Sequence, residues 1–294
     1  HPALLAFYTS HHPVSMREQQ CMAYSTDGVH FEKYRDNPVI PGADHTPARD
    51  PFVFKNAISG GFSMCFTTEK SIRFYHTKDL LTWKEPGEYV LPDFAFHGMI
   101  ECPSVFFSEG KCVLLMSMDI PESEYGKFPN GAAPHSRLMQ YLVGDFDGIV
   151  FTNAQENDKP LLVDAGLEFY AGTLFHNTPE PILMAWLGNS EKIMKIPTEK
   201  EGFRGVLCYP RKLSLVSTSD GYRLRQEFYP AVADAIADVL ADDITDDRAG
   251  SLKAGVLKDS FIEETISKDG LLAATNVSGP EGDNLQSDRP ECDR

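Results

Sequence analysis

The chain has 294 residues, of which 42% are hydrophobic and 11% aromatic, and its formal net charge is −16. This composition is typical of a folded protein with a sizeable core, and no run approaches the ~20 apolar residues of a membrane span. The acidic charge argues against nucleic acid, which needs clustered Lys and Arg, and against a polyanionic substrate. A neutral sugar is compatible with it.

In chain order, twelve short segments rich in aromatic and branched residues are bounded by Gly, Pro, Asp or Asn, a pattern that predicts strands. They are residues 3–9, 19–24, 52–55, 61–67, 72–76, 103–107, 112–117, 138–143, 170–175, 182–187, 205–209 and 212–217. No long helical period interrupts them before residue 228. The chain is therefore predicted to be all-β. Because it starts directly with a predicted strand, we expect it to be a fragment in which any targeting signal is not observable.

A strand, a polar turn with Asp and a following aromatic residue recur after Tyr24, Tyr75 and Tyr141. Two other strands precede the second and third copies, so that units of about four strands repeat every ~50–65 residues. This repeat predicts β-propeller blades over residues 1–230. Residues 231–294 are polar and acidic, and they are predicted to form a linker or short helix and then a disordered tail.

Two acidic motifs precede predicted strands: Arg49-Asp50-Pro51 and Glu101-Cys102-Pro103. A proline suits the first residue of a strand because it cannot donate to the ladder. We therefore expect both carboxylates at the mouths of two strands, facing one central site. Two carboxylates in one pocket are what a glycoside hydrolase uses.

The two carboxylates are predicted to have different roles. Glu101 lies between Met-Ile and Cys-Pro, an apolar setting that suits a general acid, although a solvated loop glutamate is the alternative. Asp50 follows Arg49, whose positive charge favours an ionised carboxylate that could stabilise an oxocarbenium-like transition state. The alternative for Asp50 is an ion pair at the start of a strand.

Further candidates lie near the next predicted inner strand. Asp164 or Glu168 could bond sugar hydroxyls, and Tyr170 or Trp186 could be an apolar platform for the ring. Turn residues and core aromatics are the alternative interpretation. Arg211 could hold an acid or face solvent. Adjacent His11 and His12 have no partners at zinc spacing, so no metal and no cofactor is predicted.

Taken together, several stretches resemble glycoside hydrolase family 32, the invertase and β-fructofuranosidase family. They are Tyr24-Ser25-Thr26-Asp27-Gly28, Asn37-Pro38-Val39-Ile40, Arg49-Asp50-Pro51, Glu101-Cys102-Pro103, Gly144-Asp145-Phe146-Asp147-Gly148, Phe169-Tyr170-Ala171, Ala185-Trp186 and Pro210-Arg211. The resemblance implies a five-bladed β-propeller followed by a β-sandwich, and retaining cleavage of terminal β-fructosyl bonds. It makes Glu101 the acid/base, Asp50 the transition-state stabiliser and Arg49 its neighbour.

The chain departs from this family in several places. The family's nucleophile lies in an Asn-Asp-Pro-Asn-Gly segment that this sequence lacks, and Asp36-Asn37-Pro38 is a poor substitute. The first blade is therefore expected to be largely missing, and the region after residue 230 to be a short remnant of the sandwich or a disordered tail. The isolated chain is expected to hydrolyse poorly or not at all. Glu168 replaces the usual Asp, and Lys212 replaces the usual Glu.

The expected partner is a small sugar, namely sucrose or sucrose 6-phosphate, for which Arg137, Arg204 and Lys212 are candidate phosphate contacts. A non-catalytic sugar-binding propeller and a five-bladed arabinosidase or xylosidase are the alternatives. The six cysteines form no CxxC pair and are interpreted as reduced thiols, which favours the cytoplasm. No sequence pattern predicts the oligomeric state.

Overall fold

The computed structural model describes residues 4–128, 137–155, 159–166, 168–188, 195, 198–203, 205–232 and 234. These residues form antiparallel strands in four sheets. The first sheet has the order β1 (Leu4–His12), β2 (Arg17–Ser25), β3 (Glu32–Lys33). The second has the order β4 (Ala48–Lys55), β5 (Phe62–Thr68), β6 (Ser71–Thr77), β7 (Lys84–Val90).

The third and fourth sheets each carry one additional short strand. The third has β8 (Met99–Ser108), β9 (Lys111–Asp119), β10 (Arg137–Phe146) and β11 (Phe151–Asn153) in order, and β12 (Leu161–Leu162) also pairs with β10. The fourth has the order β13 (Phe169–Leu174), β14 (Ile182–Leu187), β16 (Arg211–Thr218), β17 (Gly221–Phe228), and β15 (Val206–Leu207) also pairs with β14. Two short 3-10 helices cover Glu122–Lys127 and Thr198–Glu201, and residues 230–232 and 234 are helical.

The sheets pack against one another in chain order. Strand β4 contacts β1 and β2, β8 contacts β4 and β5, and β13 contacts β8, β9 and β10. We call β4, β8 and β13 the inner strands, because each is the first strand of its sheet and β8 touches both others. Their contacts bring residues far apart in sequence to one place.

Apolar side chains between the sheets form the core. The main cluster joins the second, third and fourth sheets, and it includes Phe74, Ile100, Leu114 and Leu142, each at most 1% exposed. Successive residues of β9 are buried on both faces, which is why its sequence is a continuous apolar run. The inner strands are thus held between packed layers.

All twelve predicted strands occur, most with bounds a few residues wider, and the all-β prediction is confirmed. Five further strands were not predicted: β3, β7, β11, β12 and β17. They are short or rich in charged residues. Four sheets are present in the described residues, and none of them is closed on itself, so the propeller and its number of blades stay a prediction. No helix in these residues is long and apolar enough to cross a membrane.

The predicted boundary at residue 230 also stays a prediction. Residues 235–294, which include most of the predicted linker and tail, lie outside the described residues. The described part belongs to one unit that covers residues 1–236.

Candidate active site

The three inner strands share a bulge at the same place. The ladder shifts between Arg49 and Phe52 in β4, Glu101 and Ser104 in β8, and Tyr170 and Thr173 in β13. In each bulge one residue has a positive φ: Asp50 (62°), Cys102 (48°) and Ala171 (52°). Two of these residues precede prolines, which cannot donate to a ladder and are therefore tolerated at bulges. A bulge re-aims side chains, and here it does so on three neighbouring strands.

These bulges correct the predicted positions of the two carboxylates. Asp50 and Glu101 lie inside strands, not before them, because β4 begins at Ala48 and β8 at Met99. They also occupy different positions of the repeat. Asp50 is the positive-φ residue of its bulge, whereas Glu101 precedes that residue.

A side-chain oxygen accepts the backbone N–H of each positive-φ residue. The Thr9 Oγ1 accepts the Asp50 N–H at 3.0 Å, and the Asp50 Oδ2 accepts the Cys102 N–H at 2.8 Å. The Ser117 Oγ accepts the Ala171 N–H at 3.1 Å. Because a bulge leaves its extra residue without a ladder partner, these bonds satisfy groups that would otherwise be orphaned. They also place the Asp50 carboxylate beside the residue that follows Glu101.

Glu101 receives a hydrogen bond from Tyr170 on the next inner strand. The Tyr170 hydroxyl donates to the Glu101 Oε2 at 2.6 Å, and Tyr170 is 5% exposed. Burial raises the pKa of Tyr170, and the hydrogen bond to Glu101 and its charge raise it further. The phenol therefore stays protonated and remains a donor to the carboxylate.

Cys102 lies between the two carboxylates. Burial raises the pKa of its thiol to about 12, and the charges of Asp50 and Glu101 and a hydrogen bond with Asp50 act in the same direction. The Ser117 hydroxyl acts on this pKa in the opposite direction. At neutral pH Cys102 is therefore a neutral thiol and not a nucleophilic thiolate.

Arg49 has a different partner from the one that its sequence neighbour suggested. Its Nη1 donates to the Glu18 Oε1 at 3.1 Å, and the Glu18 Oε2 accepts the Ala48 N–H at 2.9 Å. The Cys102 N–H, and not the Arg49 guanidinium, is thus the donor bonded to the Asp50 carboxylate. The Arg49 Nε is buried and has no hydrogen-bond partner among the described residues.

Arg137 lies at the edge of this group. Its Nε donates to the Asp119 Oδ2 at 3.2 Å, and its guanidinium carbon lies 5.9 Å from the centre of the Tyr170 ring. One of the three candidate phosphate contacts is therefore next to the site. Lys212 instead bonds the Glu180 carboxylate, and Arg204 lies outside the described residues.

The fourth sheet resolves two open alternatives. Arg211 holds an acid, because its Nη1 donates to the Asp164 Oδ2 at 2.6 Å and its guanidinium carbon lies 4.4 Å from the centre of the Phe169 ring. Asp164 also accepts the N–H of Gly166 at 2.7 Å, so its carboxylate is engaged in local structure. Glu168 is half-buried just before β13.

Trp186 is the cross-strand neighbour of Tyr170, one strand further from the inner strands. Its indole packs against Gly188 and Gly205, where an added Cβ would lie 2.2 Å and 2.4 Å from the Trp186 Nε1. Side chains at those two positions would displace the ring. A platform role for Trp186 stays a prediction.

Asp36 belongs to the first sheet, which contains none of the inner strands. It follows the outer strand β3, and its side chain is 61% exposed and paired with Arg35. The neighbouring Asn37 bonds both backbone groups of Met22, each at 2.8 Å. This segment is therefore a turn of the first sheet, in agreement with its interpretation as a poor substitute for a nucleophile segment.

Four residues of the site escaped prediction: Thr9, Glu18, Ser117 and Asp119. They lie in no motif, and each meets its partner across a sheet or between sheets. No local pattern in the sequence distinguishes them from other polar strand residues.

The comparisons with known proteins agree with these motifs. Residues 1–227 match the N-terminal domain of the glycosyl hydrolases family 32. The levanase of Bacillus subtilis (strain 168) is 30% identical over 235 residues, which are 76% of this chain and 33% of that protein. The invertase of Schizosaccharomyces pombe (strain 972 / ATCC 24843) is 29% identical over 223 residues, 72% of this chain and 36% of that protein. The chain thus spans about a third of the length of these relatives.

Two solved structures are similar as well. The fructofuranosidase from Schwanniomyces occidentalis complexed with fructose has a TM-score of 0.62 at 25% identity, covering 76% of this chain and 43% of that one. The exo-inulinase from Aspergillus awamori has a TM-score of 0.63 at 26% identity, covering 76% and 48%. The resemblance expected from the motifs is confirmed, and the chain belongs to family 32 of the glycosyl hydrolases through its N-terminal domain.

Proposed function

We propose that the protein hydrolyses terminal β-fructofuranosyl bonds with retention, with Glu101 as the general acid/base and Asp50 as the transition-state stabiliser. Relatives named levanase, invertase and exo-inulinase support this class of substrate. We propose sucrose or sucrose 6-phosphate as the substrate, because the half-buried groups around Glu101 suit a small sugar and Arg137 lies beside them.

The observation that carries the proposal is that both carboxylates adjoin Cys102. Asp50 bonds the Cys102 N–H, and Glu101 precedes Cys102 in the chain. A fixed Asp50 oxygen sets the direction of the whole carboxylate, which can then face sugar hydroxyls. Glu101, bonded by the Tyr170 hydroxyl, can give a proton to the leaving oxygen and take one from water in the second step.

The substrate-binding residues follow from the same geometry. We propose that the exposed part of the Arg49 guanidinium donates to a sugar hydroxyl, since the side chain is 24% exposed and the Glu18 carboxylate bonds its Nη1. Tyr170 and Trp186 form one cross-strand aromatic pair that can face a sugar ring. Glu168, just before this pair, is the remaining candidate for a hydroxyl contact.

Retention also needs a nucleophilic carboxylate close to the acid. In the described residues the Asp50 carboxylate accepts the Cys102 N–H, and the Asp119 carboxylate is engaged by Arg137. We propose that the nucleophile is neither of these, that the complete fold is a five-bladed propeller, and that residues 1–294 alone turn over poorly. A non-catalytic sugar-binding domain is the second candidate function. It is favoured because the two aspartates near Glu101 are bonded to other groups and neither is free to act as the nucleophile.

Fructose release tests the proposal. The substrates are sucrose, sucrose 6-phosphate and levan. The proteins are residues 1–294 and the complete gene product, each assayed as wild type and as the Glu101→Gln variant. Glu109→Gln is the matched control, because Glu109 is an exposed glutamate in the turn that ends the same strand. In the active protein we expect Glu101→Gln to lower kcat by roughly 10²–10⁴-fold and Glu109→Gln to leave it unchanged.

Three outcomes would contradict the proposal. Turnover that survives Glu101→Gln would remove Glu101 from the mechanism. Sugar binding without turnover in the complete gene product would favour the binding domain. Added methanol should give methyl β-fructofuranoside as the transfer product, and the α-anomer would refute retention.

We further propose that the protein works in the cytoplasm. The thiols of Cys21, Cys65, Cys102, Cys112 and Cys208 are free, which suits a reducing compartment. Fractionation of the source cells followed by immunodetection tests this location, and recovery outside the cytoplasm would refute it.

A further inference from the structure

Thr9 on β1 makes the contact between the first sheet and the Asp50 backbone. Its hydroxyl accepts the Asp50 N–H at 3.0 Å and donates to the Gln20 Oε1 at 2.9 Å. Thr9 is half-buried, and Gln20 on the neighbouring strand is 1% exposed. The contact is thus shielded from water and joins two sheets at the candidate stabiliser.

The Asp50 backbone needs such support. Its φ of 62° lies in the left-handed region, which is unfavourable for residues other than glycine and persists only where the surroundings fix it. The β4–β5 ladder is interrupted between Arg49 and Phe52, so no ladder partner holds the Asp50 N–H. The Thr9 hydroxyl is the acceptor that takes its place.

Gln20 fixes which way the Thr9 hydroxyl points. The Gln20 Nε2 donates to the Ala48 carbonyl at 2.6 Å, and a carbonyl can only accept, so the Gln20 Oε1 must face Thr9. The Thr9 O–H then points to that oxygen, which leaves a Thr9 lone pair for the Asp50 N–H. One buried glutamine therefore holds both the entry of β4 and the orientation of Thr9.

The effect extends to the acid. The Asp50 carboxylate is itself the acceptor for the Cys102 N–H, and Cys102 follows Glu101. A shift of the Asp50 backbone would therefore move the bond that holds the bulge of β8. On the other side of Glu101, the Ser117 hydroxyl supports the Tyr170 bulge through Ala171 in the same way.

We propose that Thr9, oriented by Gln20, is a positioning residue for Asp50 in the fructosyl-transfer step. This inference rests on the proposed function. Thr9 touches no reacting atom, and it acts by fixing the direction of the Asp50 carboxylate. Interactions that are stronger in the transition state than in the bound substrate raise kcat, so loss of this alignment lowers kcat more than it changes KM.

The test compares three variants of the complete gene product, residues 1–294 with any segments that flank them. Thr9→Val keeps the shape and removes the hydroxyl, whereas Thr9→Ser keeps the hydroxyl. Ser108→Ala is the control, because the Ser108 hydroxyl also accepts a backbone N–H between sheets, that of Leu215 at 3.1 Å, but at the opposite end of β8. All are assayed well below their unfolding temperatures.

We expect Thr9→Val to lower kcat about tenfold or more with KM changed less than about threefold. Thr9→Ser should recover kcat to within about threefold, and Ser108→Ala should lose stability without losing kcat. A Thr9→Val protein with wild-type kcat, or a Ser108→Ala protein that loses kcat equally, overturns the proposal.

Hydrogen exchange of the peptide that contains Ala48–Phe54 separates this inference from the proposed function. Faster exchange of that peptide in Thr9→Val, and not in Thr9→Ser, is expected whether or not a fructoside is cleaved. If the wild-type protein cleaves no fructoside, the proposed function fails and with it the catalytic role of Thr9. If the wild-type protein is active but exchange is unchanged in Thr9→Val, the proposed function survives and the positioning role of Thr9 is refuted.

Discussion

Replacing Tyr170 by phenylalanine removes a single O–H group from the candidate site. That group donates to the Glu101 Oε2 at 2.6 Å, a length typical of a hydrogen bond to a charged oxygen. Such bonds are worth about 1.5–3 kcal/mol, and the side chain is 5% exposed, so water does not replace the lost donor. In the proposed mechanism, this bond supports the charge that develops on Glu101 as the carboxyl group gives its proton away.

At about 1.4 kcal/mol for each factor of ten, this loss corresponds to a roughly 10- to 100-fold lower kcat/KM on sucrose. A nitrophenyl β-fructofuranoside leaves without full protonation, so its kcat/KM should fall much less. The assay measures kcat/KM of both substrates with wild type and Tyr170→Phe in the complete gene product. The difference between the two losses isolates the acid step.

Tyr141→Phe is the matched control. Tyr141 is 4% exposed, and its hydroxyl accepts the Leu224 N–H at 3.0 Å, away from Glu101. We expect this variant to be less stable and equally active. A Tyr170→Phe protein that keeps its activity on sucrose, or that loses the same factor on both substrates, would refute the assigned role of the phenol.

Two further predictions concern stability. In Gln140→Leu the Phe96 N–H and C=O lose their hydrogen-bond partners, the Gln140 side-chain oxygen at 3.0 Å and nitrogen at 2.9 Å. At about 1–3 kcal/mol for each orphaned group, the free energy of unfolding in urea should fall by about 2–6 kcal/mol. A loss below about 1 kcal/mol would contradict this reasoning. His76 donates from Nε2 to the Ile149 carbonyl, and burial lowers its pKa below the value of 6.5 for an exposed histidine. The folded state therefore binds fewer protons than the unfolded chain, so stability is full above about pH 6.5 and falls as the pH drops towards the folded pKa. His76→Gln should show a smaller decrease of the unfolding free energy between pH 7.5 and 5, and an unchanged slope would show that His76 is not the group responsible.

Much of the fold follows from local pattern. Strands such as β9 are buried on both faces, so their residues are apolar in unbroken runs that are visible in one sequence. The strands that escaped prediction have the opposite character. Strand β7 reads Lys-Glu-Pro-Gly-Glu-Tyr-Val and has no apolar run, because it lies at the end of its sheet and only pairing with β6 makes it a strand.

The candidate site divides in the same way. The two carboxylates could be identified from the sequence, because Asp50 and Glu101 stand in short local patterns whose prolines mark the strands. Their hydrogen bonds could not, since the acceptor of the Asp50 N–H is 41 residues away and the donor to Glu101 is 69 residues away. A hydroxyl or carboxylate acquires such a partner only when sheets pack, and its residue type carries no local record of that partner.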